Sequence, residues 1–291
     1  MKHTPLFTML AGAALAFTVA ATPVHATDSS KKQTAEYPNT TRVEPKLDLK
    51  SEKDQKALQQ AGEAFNAGDT AKAAQLLQPV IDKSDSKYAK AYAQYLMGNI
   101  TYKNGDVKGA IAQFKSSLDN GVLPNGTYFD EMLTLAQVYA ADQQYQVSLD
   151  TLAKWHDQGK KESADAYGLQ GLDDYNLQKY PDAIAAIQKA KTLTDKPRDS
   201  WDQILMASYA SSGQGADAAK MAQSEYEKNP TDSSLLHNAG AILLQQQDYA
   251  GAIKVLEEGR ANGALKDDGD WILLVTSYLL QAQNGGDTKS G

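Results

Sequence analysis

Residues 96–118 read LMGNITYKNGDVKGAIAQFKSSL and contain one complete helix–turn–helix pattern. Apolar and small residues recur at three- and four-residue spacing, which is the periodicity of an amphipathic helix. The pattern is interrupted at Asn104-Gly105-Asp106, where glycine suits the left-handed position that ends one helix and aspartate caps the next. This stretch therefore predicts two helices joined by a tight turn.

The same spacing recurs along the chain at a regular interval. Gly98 is followed twelve positions later by Ala110 and four positions after that by Phe114. Equivalent triplets, of which the Met206 triplet is the weakest, are Ala61/Ala73/Leu77, Ala136/Ser148/Leu152, Gly171/Ala183/Ile187, Met206/Ala218/Ala222 and Gly240/Ala252/Leu256. The second members lie at 73, 110, 148, 183, 218 and 252, so the successive steps are 37, 38, 35, 35 and 34 residues. The sequence thus predicts a series of units, each a helix, a turn and a second helix.

This pattern resembles the tetratricopeptide repeat. The signature is nearly complete in residues 96–118, recurs in residues 238–256, and its opening part W-x2-L-G-x2-Y reappears as Trp271, Leu274 and Tyr278, with Val275 in place of the small residue. The resemblance covers residues 51–283. It implies an all-α tetratricopeptide-repeat solenoid of about six helix–turn–helix repeats with a C-terminal capping helix, whose first helices line a concave face.

The first 26 residues have the organisation of a secretory signal peptide. Lys2 lies in a weakly basic start, a largely apolar run follows from Pro5 to Ala21, and Val24-His25-Ala26 forms a small-x-small cleavage pattern. Cleavage after Ala26 predicts a periplasmic protein without an integral membrane span. The alternative is a retained membrane anchor, which is disfavoured because the apolar run is shorter than the ~20 residues of a spanning helix.

Composition sets the remaining limits on the chain. Residues 27–50 are predicted to be a flexible polar lead and residues 284–291 a disordered tail, because neither has enough large apolar side chains to offset the entropy of ordering. The absence of cysteine excludes disulfides, thiolate metal sites and the lipid attachment of a bacterial lipoprotein. A formal net charge of −7 argues against a nucleic-acid partner, whose phosphates require Lys and Arg.

No arrangement of residues predicts catalysis, a cofactor or a metal. Asp173 and Asp174 are adjacent on a first helix, so their side chains diverge and cannot form a facing acid–base pair. The run Asp267-Asp268-Gly269-Asp270 could hold a calcium ion, but the full loop pattern is absent, and acidic residues are favoured at the start of a helix in any case. The chain is therefore predicted to be a binding protein and not an enzyme.

The candidate partner-binding residues lie on the first helices. Tyr95, Asn99 and Tyr102 are spaced i, i+4 and i+7, and Tyr92 extends this stripe by one turn on the face away from Gly98. Aligning the units extends the predicted groove surface to Gln137, Tyr175, Gln203, His237, Asn238 and Gln245. Such an aromatic and amide-rich surface suits an extended peptide or a partner helix. The alternative is that these tyrosines only cover neighbouring helices.

A second resemblance concerns the partner. Residues 196–209, KPRDSWDQILMASY, are similar to the soluble tetratricopeptide proteins that accompany TonB–ExbB–ExbD energy-transducing systems. That resemblance implies an envelope scaffold that modulates energy delivery by binding a component of such a complex. The alternative is a non-enzymatic module in the assembly of the cell wall, an exopolysaccharide or outer-membrane proteins.

Overall fold

The computed structural model describes residues 36–286, which form thirteen helices joined by turns and short connections. Six consecutive pairs and one single helix account for all thirteen, so the predicted helix–turn–helix organisation is confirmed. The helices are α1 (Glu52–Asn66), α2 (Thr70–Lys83), α3 (Lys87–Lys103), α4 (Val107–Asp119), α5 (Asn125–Ala141), α6 (Tyr145–Gly159), α7 (Ala164–Asn176), α8 (Tyr180–Thr192), α9 (Asp199–Ser211), α10 (Gly215–Lys228), α11 (Ser233–Gln245), α12 (Tyr249–Asn262) and α13 (Asp268–Gly286).

The described residues belong to two compact units. The amino-terminal unit comprises residues 36–177 together with 189–194, and the carboxy-terminal unit comprises residues 178–188 together with 195–286. From α1 to α7, each helix packs on its neighbours in sequence, and the same is true from α9 to α13. The contacts between helices within each unit therefore join segments that are close in sequence, as expected of a repeat array.

The two helices of a repeat approach closely at the small residues. A Cβ atom built on Gly98 would lie 2.7 Å from the ring of Phe114, and one built on Gly240 would lie 2.9 Å from the Leu256 side chain. Real Cβ atoms do not approach other atoms so closely, so only glycine fits these positions without a shift in the structure. The spacing that identified the repeats therefore marks helix-pair contacts.

Each tight turn within a repeat contains one residue in the left-handed conformation. Three turns use glycine, with φ of 80–87°, at Gly68, Gly105 and Gly213. The other three use glutamine at the equivalent position, with φ of 60–62°, at Gln143, Gln178 and Gln247. Residues with a Cβ atom are disfavoured there by ~1–2 kcal/mol, so a search for glycine alone does not find these turns.

The segment before α1 does not match the predicted flexible lead. Tyr37 is only 3% exposed, and its ring lies 4.7 Å from that of Phe129 and edge-on to Trp155 at 6.0 Å. The Tyr37 hydroxyl donates a hydrogen bond of 2.9 Å to Asp130 Oδ1. One aromatic side chain therefore docks this polar segment onto α5 and α6.

Contacts to the same segment continue toward α1. The Thr40 hydroxyl and the Thr41 amide both donate to the carbonyl of Gln158, at 2.8 and 3.0 Å. The Arg42 guanidinium lies 4.1 Å from the centre of the Tyr128 ring and donates to the carbonyl of Gly121 at 2.6 Å. Residues 36–42, which we call the N-terminal strap, are thus docked on helices that are remote in sequence and do not match the predicted flexible lead.

The predicted signal peptide, residues 1–26, lies outside the described residues, as do residues 27–35 and 287–291. At the other end, α13 continues to Gly286, so residues 284–286 are helical and not part of a disordered tail. Within residues 36–286, none of the helices combines the length and the apolar composition that crossing a membrane requires.

Candidate functional site

The predicted binding stripe on α3 is mostly inside the protein. Tyr92, Tyr95 and Asn99 are each no more than 5% exposed. The Tyr92 ring lies 5.9 Å from those of both Tyr88 and Tyr95, and the Asn99 amide donates to the carbonyl of Tyr95 at 2.9 Å. Burial raises the pKa of Tyr92 to about 12 and also raises the pKa of Tyr95.

The expectation that these three side chains line an open groove is therefore wrong. They pack in the core cluster formed by α1 to α5, and the alternative interpretation, that such tyrosines cover neighbouring helices, describes them better. The three- and four-residue spacing identified a helix face correctly. It could not indicate that further helices cover this face, because that depends on how successive repeats stack.

Three other predicted residues of the amino-terminal unit remain accessible. Tyr102, Gln137 and Tyr175 are half-buried, on α3, α5 and α7 respectively. Tyr102 and Tyr175 occupy the same register, four residues after Gly98 and Gly171. The successive first helices of this unit therefore carry accessible aromatic and amide groups. The accessible surface contains fewer residues than the sequence predicts, because Tyr92, Tyr95 and Asn99 are buried.

The predicted residues of the carboxy-terminal unit form a separate group. Gln203, His237 and Gln245 are exposed and Asn238 is half-buried. His237 Nδ1 lies 2.8 Å from Oδ1 of Asp270, which is only 1% exposed. This contact joins α11 to the first turn of α13, so His237 has a structural role in addition to its position on the predicted surface.

Among the buried carboxyl groups of the amino-terminal unit, Glu131 on α5 and Asp173 on α7 are completely inaccessible to solvent. Glu131 accepts a hydrogen bond of 2.9 Å from the Ser117 hydroxyl, and burial raises its pKa well above the usual range. Neither oxygen of Asp173 has a hydrogen-bond partner among the described residues, because the nearby Ser148 hydroxyl donates to the carbonyl of Ala136. Burial raises the pKa of Asp173 to about 8.

These two carboxyl groups do not form a reactive pair. Each is fully buried, so neither has access to a substrate in solution. Within the described residues, no group of three His, Cys, Asp or Glu side chains could hold a metal ion. Asp270, which belongs to the acidic run considered for calcium, instead contacts His237.

One cavity of about 550 Å³ lies beside the start of α1. Lys50, Lys53 and Lys83 line it together with Asp54, whose carboxylate accepts a hydrogen bond of 2.6 Å from the Ser84 hydroxyl. Asp54 and Ser84 are both buried, and their bond joins the start of α1 to the end of α2. Two polar groups of this cavity, Asp54 and Ser84, are thus used in packing the first repeat.

Sequence reasoning missed an exposed apolar surface on α13. Five large side chains are 43–65% exposed there, and we call them the α13 face: Trp271, Ile272, Val275, Tyr278 and Leu279. They make up five of the eight exposed large apolar side chains in the described residues. The sequence did contain a signal of this exposure. Gly98 and Gly240 are small enough for the second helix of the repeat to pack over them, whereas the equivalent residue of α13 is the larger Val275.

Comparison with known proteins identifies the fold. Residues 58–121 match the tetratricopeptide repeat family model. A tetratricopeptide repeat protein from Parabacteroides merdae is 14% identical with a TM-score of 0.58, and the match covers 80% of this chain and 88% of that one. The C-terminal part of a repeat-containing protein from Cytophaga hutchinsonii is 14% identical with a TM-score of 0.60, covering 80% and 89%.

A third similar structure is YrrB, described as a tetratricopeptide repeat protein with an unusual peptide-binding site. It is 16% identical with a TM-score of 0.53, and the match covers 70% of this chain and 98% of that one. Comparison with curated proteins finds no match. The fold is thus the all-α tetratricopeptide-repeat solenoid, and proteins built from this repeat generally mediate protein–protein interactions.

Proposed function

We propose that this protein is an exported, non-enzymatic interaction module that binds a peptide or helix of an envelope partner along the first helices of its repeats. One observation carries the proposal. Three successive first helices of the amino-terminal unit, α3, α5 and α7, each keep one aromatic or amide side chain half-exposed, namely Tyr102, Gln137 and Tyr175. Half-exposed side chains in a packed array can bind a partner without unfolding their own helices.

The chemistry of these side chains suits a peptide. Tyrosine rings supply rigid apolar contact area with a polar end, and a glutamine amide can donate to and accept from a peptide backbone. The scarcity of charge on this surface favours a partner recognised by shape and backbone hydrogen bonds. The exposed Gln203, His237 and Gln245 of the carboxy-terminal unit have similar chemistry and form a second candidate surface.

Export rests on residues 1–26. Their basic start, apolar run and small-x-small end favour removal of the segment after Ala26 and a periplasmic location. The intact mass of the protein recovered from the envelope fraction should correspond to a chain that begins at Thr27. A product that still begins at Met1 and sediments with membranes would contradict this and favour the retained anchor.

For the partner, we favour a component of a TonB–ExbB–ExbD energy-transducing system. The support is the resemblance of residues 196–209 to the soluble repeat proteins that accompany such systems. In the structure this stretch contains the connection before α9 and most of that helix, with Trp201 buried. The buried Trp201 ring therefore stabilises the fold, and any partner contact must involve other residues.

Site-specific photocrosslinking tests the binding surface. Benzoylphenylalanine is placed at Tyr102 or Tyr175 in cells of the source bacterium, and the crosslinked proteins are identified by mass spectrometry. Tyr145 is a matched control, because it is also half-buried and in the same unit but lies on the second helix α6. We expect one shared protein partner at positions 102 and 175 and little or none of it at 145.

The outcomes distinguish the proposed binding function from the proposed identity of the partner. Recovery of TonB, ExbB or ExbD at both positions would support the specific partner, whereas another envelope protein would support only the binding function. A Tyr102→Ala/Tyr175→Ala variant should then weaken that complex by about 30–1,000-fold, since each of the two aromatic anchors contributes roughly 1–2 kcal/mol. Equal crosslinking at position 145, or none at any position, would contradict the proposed surface.

A further inference from the structure

The α13 face is a continuous stripe along one side of α13, the last helix of residues 36–286. At a rotation of about 100° per residue, Trp271, Val275 and Tyr278 align along the helix, with Leu279 beside them and Ala282 one turn further on. Asp270 and Ser277 lie on the other side of the helix and are buried, and Leu274, which lies between the two sides, packs in the core of the carboxy-terminal unit. From Trp271 to Ala282 the stripe is about 17 Å long.

In complete repeats the corresponding face is covered. Gly240 of α11 lies beneath Leu256 of α12, and Gly98 of α3 lies beneath Phe114 of α4. The equivalent residue of α13 is Val275, which is 54% exposed. Terminal helices of repeat arrays usually have a polar outer face, which keeps the protein soluble. An apolar outer face here indicates that another helix covers it.

Charge indicates what kind of helix fits. No Asp, Glu, Lys or Arg occurs between Trp271 and Gln283, so α13 itself contributes no charge to the stripe. At its edge, the Tyr278 hydroxyl donates a hydrogen bond of 3.1 Å to Glu257 of α12, and Glu257 is already paired with Arg260. The carboxylates of α13 are confined to its first turn, at Asp268 and Asp270. A suitable partner helix is uncharged and apolar over three turns, and α13 of a second copy has this composition.

Orientation follows from the same distribution. A parallel pair of α13 helices would place the exposed Asp268 carboxylates of both copies at one end, where they would repel each other. An antiparallel pair separates these carboxylates and places each helix N-terminus near the C-terminus of the other, which the helix dipoles favour. A two-fold axis relates such a pair, so one surface serves both copies.

The side chains of the stripe are also complementary in size when the helix is reversed. If Val275 faces Tyr278 and Leu279 of the second copy, then Trp271 faces Ala282 of that copy. The largest side chain thus meets the smallest, which allows close packing along the full stripe. A parallel register would instead place Trp271 against Trp271.

We propose that two copies of this chain associate through their α13 faces, as an antiparallel pair related by a two-fold axis. The proposal is independent of the proposed function, because it involves neither the first helices of the amino-terminal unit nor export. Pairing would remove five large apolar side chains per copy from water.

Sedimentation velocity on the purified chain tests the association. The wild type should sediment as a dimer at micromolar concentrations, and Val275→Asp/Leu279→Asp should sediment as a monomer at the same concentrations. Val147→Asp is the matched control, since Val147 is also an exposed apolar side chain but lies on α6. It should remain dimeric. A monomeric wild type, or an unchanged dimer in the double variant, would overturn the proposal.

Engineered cysteines test the orientation, and the natural absence of cysteine makes the result unambiguous. Chains carrying Trp271→Cys and chains carrying Ala282→Cys should form a disulfide-linked dimer when mixed and oxidised, and neither should do so alone. Crosslinking of either variant with itself would contradict the antiparallel arrangement. Matched circular dichroism spectra and melting temperatures should accompany each variant, so that loss of folding is recognised.

Discussion

The two ends of the described chain contrast in how their aromatic side chains are covered. Tyr37 lies in a polar segment with two prolines, yet it is 3% exposed, against Phe129 and Trp155. Trp271 lies in an apolar helix, yet it is 43% exposed. Local composition predicts the opposite in both cases. Burial of a side chain is decided by whether a remote segment offers a matching surface.

The largest expected effect comes from removing the Tyr37 ring. Tyr37→Ala should lower the free energy of unfolding of the amino-terminal unit by about 3 kcal/mol or more, because a fully buried aromatic ring is replaced by a cavity. Trp271→Ala should lower stability by about 1 kcal/mol or less, measured at concentrations where the chain is monomeric. Urea denaturation followed by circular dichroism gives both values.

Tyr37→Phe distinguishes the contribution of the Tyr37 ring to stability from that of its hydroxyl. This variant keeps the packing against Phe129 but leaves the carboxylate of Asp130 without its 2.9 Å hydrogen bond, so it should lose only about 1 kcal/mol. If Tyr37→Ala were as mild as Trp271→Ala, the N-terminal strap would not be docked in solution. The contrast between the two ends would then disappear.

A smaller effect on the free energy of unfolding is expected at Asp173. Its carboxyl group is buried without a hydrogen bond of the kind that Tyr37 donates to Asp130. Its pKa is about 8 in the folded chain against an ordinary value of 3.8. Between these values the folded state holds a proton that the unfolded state has lost. The contribution of Asp173 to stability is therefore greatest below about pH 4, falls as the pH rises and levels off above about pH 8.

Asp173→Asn should remove this dependence. At pH 9 the variant should be more stable than the wild type by roughly 1–3 kcal/mol, because no charge has to be buried. The gain should shrink as the pH is lowered toward 5. Urea denaturation at several pH values measures it, with Asp150→Asn, an exposed carboxylate on α6, as the control. A gain that is constant across this range would contradict a raised pKa.

The smallest effect is expected in the turns, where sequence and backbone conformation disagree. Gln143→Gly should stabilise the protein by about 1 kcal/mol or less, because glycine adopts a φ of 60° without a steric penalty, although it gains entropy in the unfolded chain. Gly105→Gln, the reverse change at the equivalent turn, should destabilise it by a similar amount. Thermal melting of both variants should show shifts of opposite sign.

Much of the candidate site could not be predicted from the sequence. Spacing placed Tyr92, Tyr95 and Asn99 on one helix face together with Tyr102, and that placement is confirmed. Only Tyr102 of these four remains accessible, because the other three are enclosed in a core shared by α1 to α5. Helix periodicity describes a face, and the number of neighbouring helices that cover the face is a property of the stacked array.

The sequence by itself determined the helix pairs, since the small residues at fixed intervals allow two neighbouring helices to approach closely, as Gly98 and Phe114 do. Such contacts join residues that are close in sequence, and their periodicity can therefore be recognised in the sequence. Only the tertiary structure decided that the N-terminal strap is docked and that the α13 face is open. Tyr37 finds its partners more than 90 residues further along the chain, whereas Trp271 has no second helix after α13 in the described residues to cover it. Contacts of that range depend on how all the intervening helices stack, and no short sequence pattern encodes them.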